Sequence, residues 1–223
     1  MLPRVLETEA MDTLDEAVDY DAMDHAEVNR AFVDDLLTAV GREEAPLAGV
    51  LDLGTGTALI PIELCRRHSA VRVTAADAAR HMLDVGLKNV ERAGLAGRIR
   101  LQQADAKRLP YCDGQFPTVV SNSIVHHVPE PREVLDEAWR VTAPGGLLFF
   151  RDLFRPPDEA TLRNLVHTYA EGANEHQKQM FADSFRAALT VDEMQELVAR
   201  YGQPPETVRM TSDRHWTWVA RKS

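Results

Sequence analysis

The sequence predicts an α/β fold: a doubly wound, mostly parallel seven-stranded sheet with helices on both faces and a C-terminal antiparallel strand. Three observations predict it. Short apolar runs alternate with segments of helical periodicity between residues 48 and 151. Polar residues follow each of the first five predicted strands, which is where sheets of this kind bind ligands. Only residues 212–214 separate the last two predicted strands, a spacing typical of an antiparallel ribbon.

Each element is placed by apolar spacing, capping residues and helix breakers. Residues 1–22 are acidic and we expect them to be irregular, whereas a helix from Asp24 carries an apolar stripe and ends at Gly41. Thr190 and Glu193 have the spacing of a capping box. The predicted strands are 48–53, 71–76, 99–103, 117–121, 147–151, 207–211 and 215–220, and the predicted helices are 57–68, 79–93, 131–141 and two or three within 158–200.

We expect one domain over residues 1–223, because 223 residues with 44% hydrophobic side chains support one sizeable core. Its predicted parts are an N-terminal helical lid (1–44), a ligand-binding core (45–152), a helical substrate region (153–204) and a C-terminal β-ribbon (205–223).

Composition excludes several classes of partner. The formal net charge of −10 argues against a sequence-independent grip on nucleic acid. No run approaches the roughly 20 apolar residues of a membrane-spanning helix, and the first residues lack the apolar core of a signal peptide. We therefore expect a cytoplasmic protein, as a monomer or homodimer. Cys65 and Cys112 are interpreted as buried apolar residues rather than a disulfide or metal ligands.

A glycine turn at residues 50–59 is the most informative local pattern. An apolar strand ends at Gly54 and Gly56, where the absence of side chains lets a ligand approach the backbone. The next helix directs its free N–H groups towards that ligand. A dinucleotide-binding protein would carry a third glycine at the position of Leu59, and a phosphate-binding P-loop would carry Gly-Lys-Ser/Thr, which the chain lacks. An NAD-binding dehydrogenase is therefore the weaker alternative.

Asp52-x-Gly54-x-Gly56-x-Ala58 resembles the first motif of the class I S-adenosylmethionine-dependent methyltransferases, although the last position is often Gly in that family. Four further segments resemble family motifs: 77–83, 103–111, 116–128 and the Pro-Gly-Gly of 144–146. The resemblance covers residues 45–152 and is strongest to the branch acting on quinones and other small molecules. It implies a Rossmann-like fold and S-adenosylmethionine as cofactor.

The resemblance also implies roles in cofactor binding. Asp77, 21 residues beyond Gly56, would accept hydrogen bonds from the ribose diol, which its chemistry also favours. Asp105 would accept from the adenine amino group, and the Asn122 carbonyl would receive the methionine ammonium. The full predicted cofactor set is Asp52, Gly54, Thr55, Gly56, Asp77, Ala78, Met82 (near adenine), Asp105, Ala106 (through its N–H), Asn122 and Tyr20 (a lid over the methionine carboxylate).

The implied reaction is direct displacement at a methyl group, in which alignment supplies most of the catalysis. A base is needed only if the acceptor must lose a proton, and His126 is the candidate, because histidine titrates near neutral pH. The alternative is that His126 and His127 are structural. The predicted acceptor contacts are His127, Arg151, Phe154 and Tyr169, with Tyr20, His25, Asn29, Arg155, Asn174, His176, Phe181 and Phe185 as further candidates.

The sequence predicts no metal site, since His25, His176 and His215 match no ligand spacing. The predicted partner is a small-molecule methyl acceptor that donates an oxygen, nitrogen or carbon nucleophile. Two further alternatives stay open at this point. One is a catalytically silent S-adenosylmethionine sensor or scaffold, and the other is an enzyme that performs a different reaction on the same ligand.

Overall fold

The computed structural model describes residues 1–6, 12–41 and 45–223. Its strands form one seven-stranded sheet in the order β3-β2-β1-β4-β5-β7-β6. Strand β1 pairs in parallel with β2 and β4, β2 pairs in parallel with β3, and β6 and β7 are antiparallel. The predicted fold class is therefore confirmed. The strands are β1 Val50–Leu53, β2 Val73–Asp77, β3 Ile99–Gln103, β4 Phe116–Asn122, β5 Thr142–Leu153, β6 Val208–Met210 and β7 His215–Arg221.

Eight α-helices occur in the described part of the chain. Most match the predicted ones to within a few residues, and the Thr190 capping box is present as predicted. The helices are α1 Leu14–Ala22, α2 Ala26–Val40, α3 Leu59–Arg67, α4 Arg80–Arg92, α5 Pro131–Val141, α6 Glu159–Tyr169, α7 Glu175–Ala187 and α8 Val191–Val198, with short 3-10 turns at Ala45–Ala48, Val125–His127, Ala199–Tyr201 and Pro205–Thr207.

The expectation of an irregular start was wrong for α1. The Glu16 N–H donates to the hydroxyl of Thr13, and the Thr13 N–H donates to the Glu16 carboxylate at 3.0 Å, so a capping box begins this helix. Part of the predicted lid, residues 7–11 and 42–44, lies outside the described residues.

The start of β5 also differs from the prediction, which placed the first residue of this strand at 147, after the Pro-Gly-Gly of 144–146. The Gly145 N–H donates to the Lys222 carbonyl at 2.7 Å, and the Lys222 N–H donates to the Gly146 carbonyl at 2.9 Å. These bonds let the strand begin at Thr142, because Lys222, the residue after β7, satisfies the N–H of Gly145 and the carbonyl of Gly146.

The chain forms two compact units. The larger unit contains the described residues within 10–122, 133–150 and 219–223, and its core combines side chains of α2 and α3 with those of β1 and β2. The smaller unit contains those within 1–9, 123–132 and 151–218, and its core is built on α6 and α7. The division into one domain with a lid and a substrate region stays a prediction.

Candidate cofactor site and candidate catalytic pair

The glycine turn after β1 is held in a left-handed backbone conformation. Gly54, Gly56 and Ala58 have φ angles of 70°, 54° and 64°, a region that only glycine occupies without strain. The N–H groups of Gly54 and Thr55 donate to the Ala76 carbonyl at 2.9 and 3.0 Å, which anchors the turn to β2. The positive φ of Ala58 explains why glycine suits that position in relatives.

Asp77 ties the turn to the start of α4. Its Oδ2 accepts from the Gly56 N–H at 2.7 Å, and its Oδ1 accepts from the Ala79 N–H at 2.8 Å. A carboxylate offers about four acceptor positions in all, so this group can take part in more than these two bonds. The position therefore suits the predicted contact to a ribose diol, and it also gives Asp77 a structural role.

Asp52 is buried beneath the turn. The Thr55 hydroxyl donates to its Oδ2 at 2.6 Å. Burial raises the pKa of Asp52 to about 7, and the charge of Asp77 acts in the same direction, whereas the Thr55 bond opposes it. The predicted contacts Asp52 and Thr55 thus bond to each other and support the turn from below.

Helix α1 covers the turn. The Cε1 atom of Tyr20 lies 3.5 Å from where a Cβ on Gly56 would stand. Burial raises the pKa of Tyr20 to about 12, with the charges of Asp77 and Asp52 adding to the effect. Tyr20 also stacks near the His25 ring, with centroids 4.4 Å apart. The structure thus places the predicted lid tyrosine at the glycine turn.

Met82 on α4 packs in an apolar cluster with Ala17 of α1, Val85 and the Tyr20 ring. The Asn89 side chain of α4 donates to Asp21 at 2.7 Å and to the Thr57 carbonyl at 3.2 Å. Helices α1 and α4 and the turn are therefore linked by both apolar contacts and hydrogen bonds.

Three other predicted cofactor contacts lie at the ends of β2, β3 and β4. Asp105 is exposed and its Oδ1 accepts from the Lys107 N–H at 2.9 Å, while the Ala78 carbonyl accepts from Gln103 at 3.1 Å. Within the described residues, the buried Oδ1 of Asn122 has no hydrogen-bond partner. An unsatisfied buried oxygen is costly, so this side-chain atom suits a ligand that brings a hydrogen-bond donor. The predicted ammonium contact is a different oxygen, the backbone carbonyl of Asn122, and it stays a prediction.

His126 belongs to the smaller unit, where it forms a buried pair with Asp152. Its Nδ1 lies 2.5 Å from Asp152 Oδ1, and the Val125 N–H donates to Asp152 Oδ2 at 2.6 Å. His126 is 3% exposed and Asp152 is fully buried. Burial by itself would raise the pKa of Asp152, but the charge and hydrogen bond of His126 and the Leu153 N–H bring it below its ordinary value.

Asp152 was not among the predicted site residues. Its position at the carboxyl end of a predicted strand was a visible signal, but the sequence does not show that it meets His126, 26 residues earlier. The pair has the arrangement in which a carboxylate fixes the tautomer of an imidazole base.

The predicted acceptor contacts in the smaller unit already have protein partners. Arg151 is buried and donates from Nε to the Thr217 hydroxyl at 3.0 Å. The Tyr169 hydroxyl donates to Asp213 at 2.6 Å, and the Arg214 guanidinium lies 3.3 Å from the centre of its ring. Phe154 pairs with Leu189 through its backbone, and the His127 ring stacks 4.1 Å from that of His126.

The structure gives several weaker candidates a structural explanation. Asn174 caps α7 through a capping box with Gln177, and Phe185 is fully buried in the core of the smaller unit. Arg155 is buried and pairs with Glu193 at 2.5 Å. Cys65 is buried as predicted, but the expectation for Cys112 was wrong, because it is exposed in a turn.

Neither a metal-binding cluster nor a membrane-spanning helix occurs among the described residues. They contain no group of three or more His, Cys, Asp or Glu side chains placed to hold a metal ion. None of the helices in that part of the chain combines the length and apolar character needed to cross a membrane.

Residues 51–150 match the family described as "Methyltransferase domain". Residues 51–150 therefore form a domain of the class I S-adenosylmethionine-dependent methyltransferases. This domain has S-adenosylmethionine as cofactor, which confirms the cofactor that the family resemblance implied.

Curated methyltransferases are similar over part of their length. A ubiquinone/menaquinone biosynthesis C-methyltransferase from Geotalea daltonii is 30% identical over 56% of this chain and 53% of that protein. A 27-O-demethylrifamycin SV methyltransferase from Amycolatopsis mediterranei is 31% identical over 79% of this chain and 65% of that protein. The chain therefore spans about half to two thirds of the length of these relatives.

Solved structures of methyltransferases share the fold. A SAM-dependent methyltransferase from Aquifex aeolicus superposes with a TM-score of 0.67 at 16% identity, covering 95% of this chain and 99% of that one. A plantazolicin methyltransferase in complex with a substrate analogue and SAH gives a TM-score of 0.69 at 11% identity, covering 94% and 90% of the two chains. At these identities the likeness concerns the fold alone.

Proposed function

We propose that this methyltransferase transfers a methyl group from S-adenosylmethionine to a hydroxyl group of a small molecule by direct displacement, with His126 as the general base. The buried pair of His126 and Asp152 is the observation that carries the proposal. A transferase whose acceptor brings no removable proton has no need of such a pair, so its presence favours an acceptor that must be deprotonated.

Asp152 determines which nitrogen of His126 can act as the base. When Nδ1 donates to the carboxylate at 2.5 Å, Nε2 of the neutral ring carries the lone pair that accepts a proton. The Val125 N–H bond to the other carboxylate oxygen fixes the orientation of Asp152. The Asp152 carboxylate, the His126 imidazole and the hydroxyl of the acceptor would then be arranged like the three groups that activate a serine hydroxyl in hydrolases.

The cofactor, when bound, supplies a methyl group on a positively charged sulfur that leaves as a neutral thioether. The described residues of the larger unit have the chemistry to bind and orient it. The Asp77 carboxylate lies at the turn, the turn at Gly54 and Gly56 presents backbone, and Asn122 offers an unsatisfied side-chain oxygen. These assignments remain predictions.

Topology supports placing the base after β4. The order of the sheet reverses between β1 and β4, which are hydrogen-bonded neighbours. Ligands of open α/β sheets bind beyond the carboxyl ends of the strands at such a switch point. His126 follows the end of β4 by four residues.

Calorimetric titration with S-adenosylmethionine, S-adenosylhomocysteine and NAD tests the cofactor site first. We expect micromolar binding of both sulfur nucleosides and no binding of NAD. Binding of NAD alone, or of none of the three, would overturn the proposal. A noncatalytic sensor would bind the sulfur nucleosides and transfer no methyl group to any acceptor.

Transfer itself is tested with radiolabelled S-adenosylmethionine and a panel of phenols, enols and alcohols, each paired with its O-methylated analogue. We expect label in the hydroxyl compounds and none in the blocked analogues. His126→Gln should reduce turnover by about 10²–10⁴-fold without changing cofactor affinity. His167→Gln, on the exposed side of α6, is the matched control. Equal turnover in the two variants would exclude His126 as the base.

A further inference from the structure

Arg4 binds the backbone of the loop that carries His126. Its guanidinium donates to the carbonyl oxygens of Val128 at 2.9 Å, Pro129 at 3.3 Å and His126 at 3.4 Å. Its Nε donates to the carbonyl of Ala187, the last residue of α7, at 2.7 Å. One side chain thus joins the His126 loop to a helix of the same unit.

The segment around Arg4 is docked against the smaller unit. The Val5 N–H donates to the Arg186 carbonyl at 3.1 Å, and Leu2 packs against the apolar cluster that contains Leu153 and Phe185. A hydrogen bond on one side of Arg4 and an apolar contact on the other therefore restrict where its guanidinium can lie.

Arg4 binds one carbonyl within a single 3-10 turn, Val125–His127, and the two carbonyls of residues 128 and 129 that follow it. The last carbonyls of a helical turn have no partner within it, and a cation placed there satisfies and stabilises them. The side chain of His126 is fixed by Asp152, and the backbone of its loop is fixed by Arg4. The orientation of the imidazole depends on both attachments.

We propose that Arg4 is a positioning residue that sets the geometry of the His126–Asp152 pair by binding the carbonyls of residues 126–129. Arg4 touches neither the acceptor nor the cofactor in this role. The proposal deepens the proposed function by adding a residue that controls its base, but the geometry it describes can be measured whether or not methyl transfer occurs.

The hydrogen bond between His126 Nδ1 and Asp152 provides the readout. A proton held between a buried imidazole and a buried carboxylate resonates downfield of the amide region in NMR spectra, and this resonance is assigned by its loss in His126→Gln. We expect Arg4→Ala to move this resonance upfield or broaden it away, while S-adenosylmethionine binds with unchanged affinity. Arg163→Ala removes an exposed arginine from α6 and should leave the resonance in place. An unchanged resonance in a folded Arg4→Ala variant would overturn the proposal.

Chemical rescue separates positioning from general support of the fold. Arg4 also lines a groove of about 420 Å³ together with Pro131, Glu196 and Leu197, so a small cation can reach the space that Arg4→Ala creates. Millimolar guanidinium chloride should restore the resonance in Arg4→Ala, whereas sodium chloride at the same ionic strength should not. Equal recovery in both salts would contradict a specific role for the guanidinium.

Arg4→Lys provides the test if Arg4→Ala fails to fold. Lysine keeps the charge but loses the planar fork that reaches several carbonyls at once, so we expect a weakened resonance and faster amide exchange at Val125. A wild-type resonance and exchange rate in Arg4→Lys would overturn the proposal.

Once an acceptor is known, loss of kcat in Arg4→Ala at constant KM for the cofactor should accompany the spectral change. If Arg4→Ala perturbs the resonance but His126→Gln retains full turnover, the positioning inference stands and the proposed base does not.

Discussion

The backbone N–H of Gly56 donates to Oδ2 of Asp77 at 2.7 Å, across 21 residues of sequence. The carboxylate that the sequence assigns to the ribose therefore also holds the glycine turn in shape. We expect Asp77→Ala to weaken S-adenosylmethionine binding by at least about 1–3 kcal/mol, because ligand bonds and turn geometry are lost together. Calorimetry measures the affinity, and Asp77→Asn, which keeps one acceptor oxygen, should lose less. Unchanged affinity in a folded Asp77→Ala variant would remove Asp77 from the site.

Asp152→Asn should abolish most of the turnover that depends on His126. An amide cannot hold both the imidazole Nδ1–H and the Val125 N–H as the carboxylate does, so the ring loses its fixed tautomer. We expect a fall in kcat of the same order as in His126→Gln, with little change in cofactor affinity. Asp192→Asn, at an exposed position of α8, serves as the control. Full activity in Asp152→Asn would mean that the pair is only structural.

Asp52→Asn should stabilise the ligand-free protein above neutral pH. Because its pKa in the folded protein is about 7, against an ordinary value of 3.8, the unfolded chain ionises first and stability is lost as pH rises between these values. Each pKa unit corresponds to about 1.4 kcal/mol, and about 1 kcal/mol shifts Tm by roughly 2–4 °C. We expect Asp52→Asn to raise Tm at pH 8 relative to the wild type, with the difference shrinking towards pH 4. A difference independent of pH would contradict the raised pKa.

His215 should make the protein sensitive to acid. Burial, aided by the charges of Arg214 and Arg151, lowers its pKa to about 4, so the stability it contributes above pH 6.5 is lost as pH falls towards 4. His215→Asn can still form a hydrogen bond with the Ser212 hydroxyl, which lies 2.8 Å from Nδ1 of the wild-type ring. We expect the melting temperature of this variant to fall less than that of the wild type between pH 6.5 and pH 4. Equal decreases in the melting temperatures of the two proteins would mean that other groups cause the acid sensitivity.

Gly86→Ala tests the close packing of α4 on the glycine turn. A Cβ on Gly86 would lie 3.2 Å from the carbonyl carbon of Thr57 and 3.4 Å from its oxygen. Alanine normally stabilises a helix interior by about 0.5–1 kcal/mol relative to glycine, but here the contact is with backbone that the turn holds in place. We expect lower thermal stability and weaker cofactor binding. Gly97→Ala, whose Cβ would meet no atom within 4 Å, should change neither.

The sheet was predictable because each of its strands has a local signature. Apolar runs followed by polar residues mark the ends of β1 to β5, and a hairpin spacing marks β6 and β7. Helix α1 shows that an acidic composition does not by itself indicate irregular structure. The capping pattern of Thr13 and Glu16 is the local signal that predicts this helix. The continuation of β5 through Gly145 depends on Lys222, a partner 77 residues away that no local pattern indicates.

More of the candidate cofactor site than of the candidate catalytic pair could be predicted from the sequence. Its predicted members follow consecutive strands and their motifs have characteristic spacings. Asp152 and Arg4 act through tertiary contacts with a loop whose position depends on folding, so a single sequence shows their chemistry but not their partners. Arg4 in particular is one charged side chain in a segment without periodicity.

The ring of Tyr20 beside Gly56 has a kinetic consequence. Because α1 lies over the turn and is fastened to α4 through Asn89 and Asp21, we expect this nine-residue helix to hinder the exit of a nucleoside from the predicted site. The residence time of the bound nucleoside would then depend on how often α1 opens, in addition to the strength of the nucleoside's own contacts. Thr13→Ala, which removes the cap of α1 and touches no ligand, should shorten that residence time.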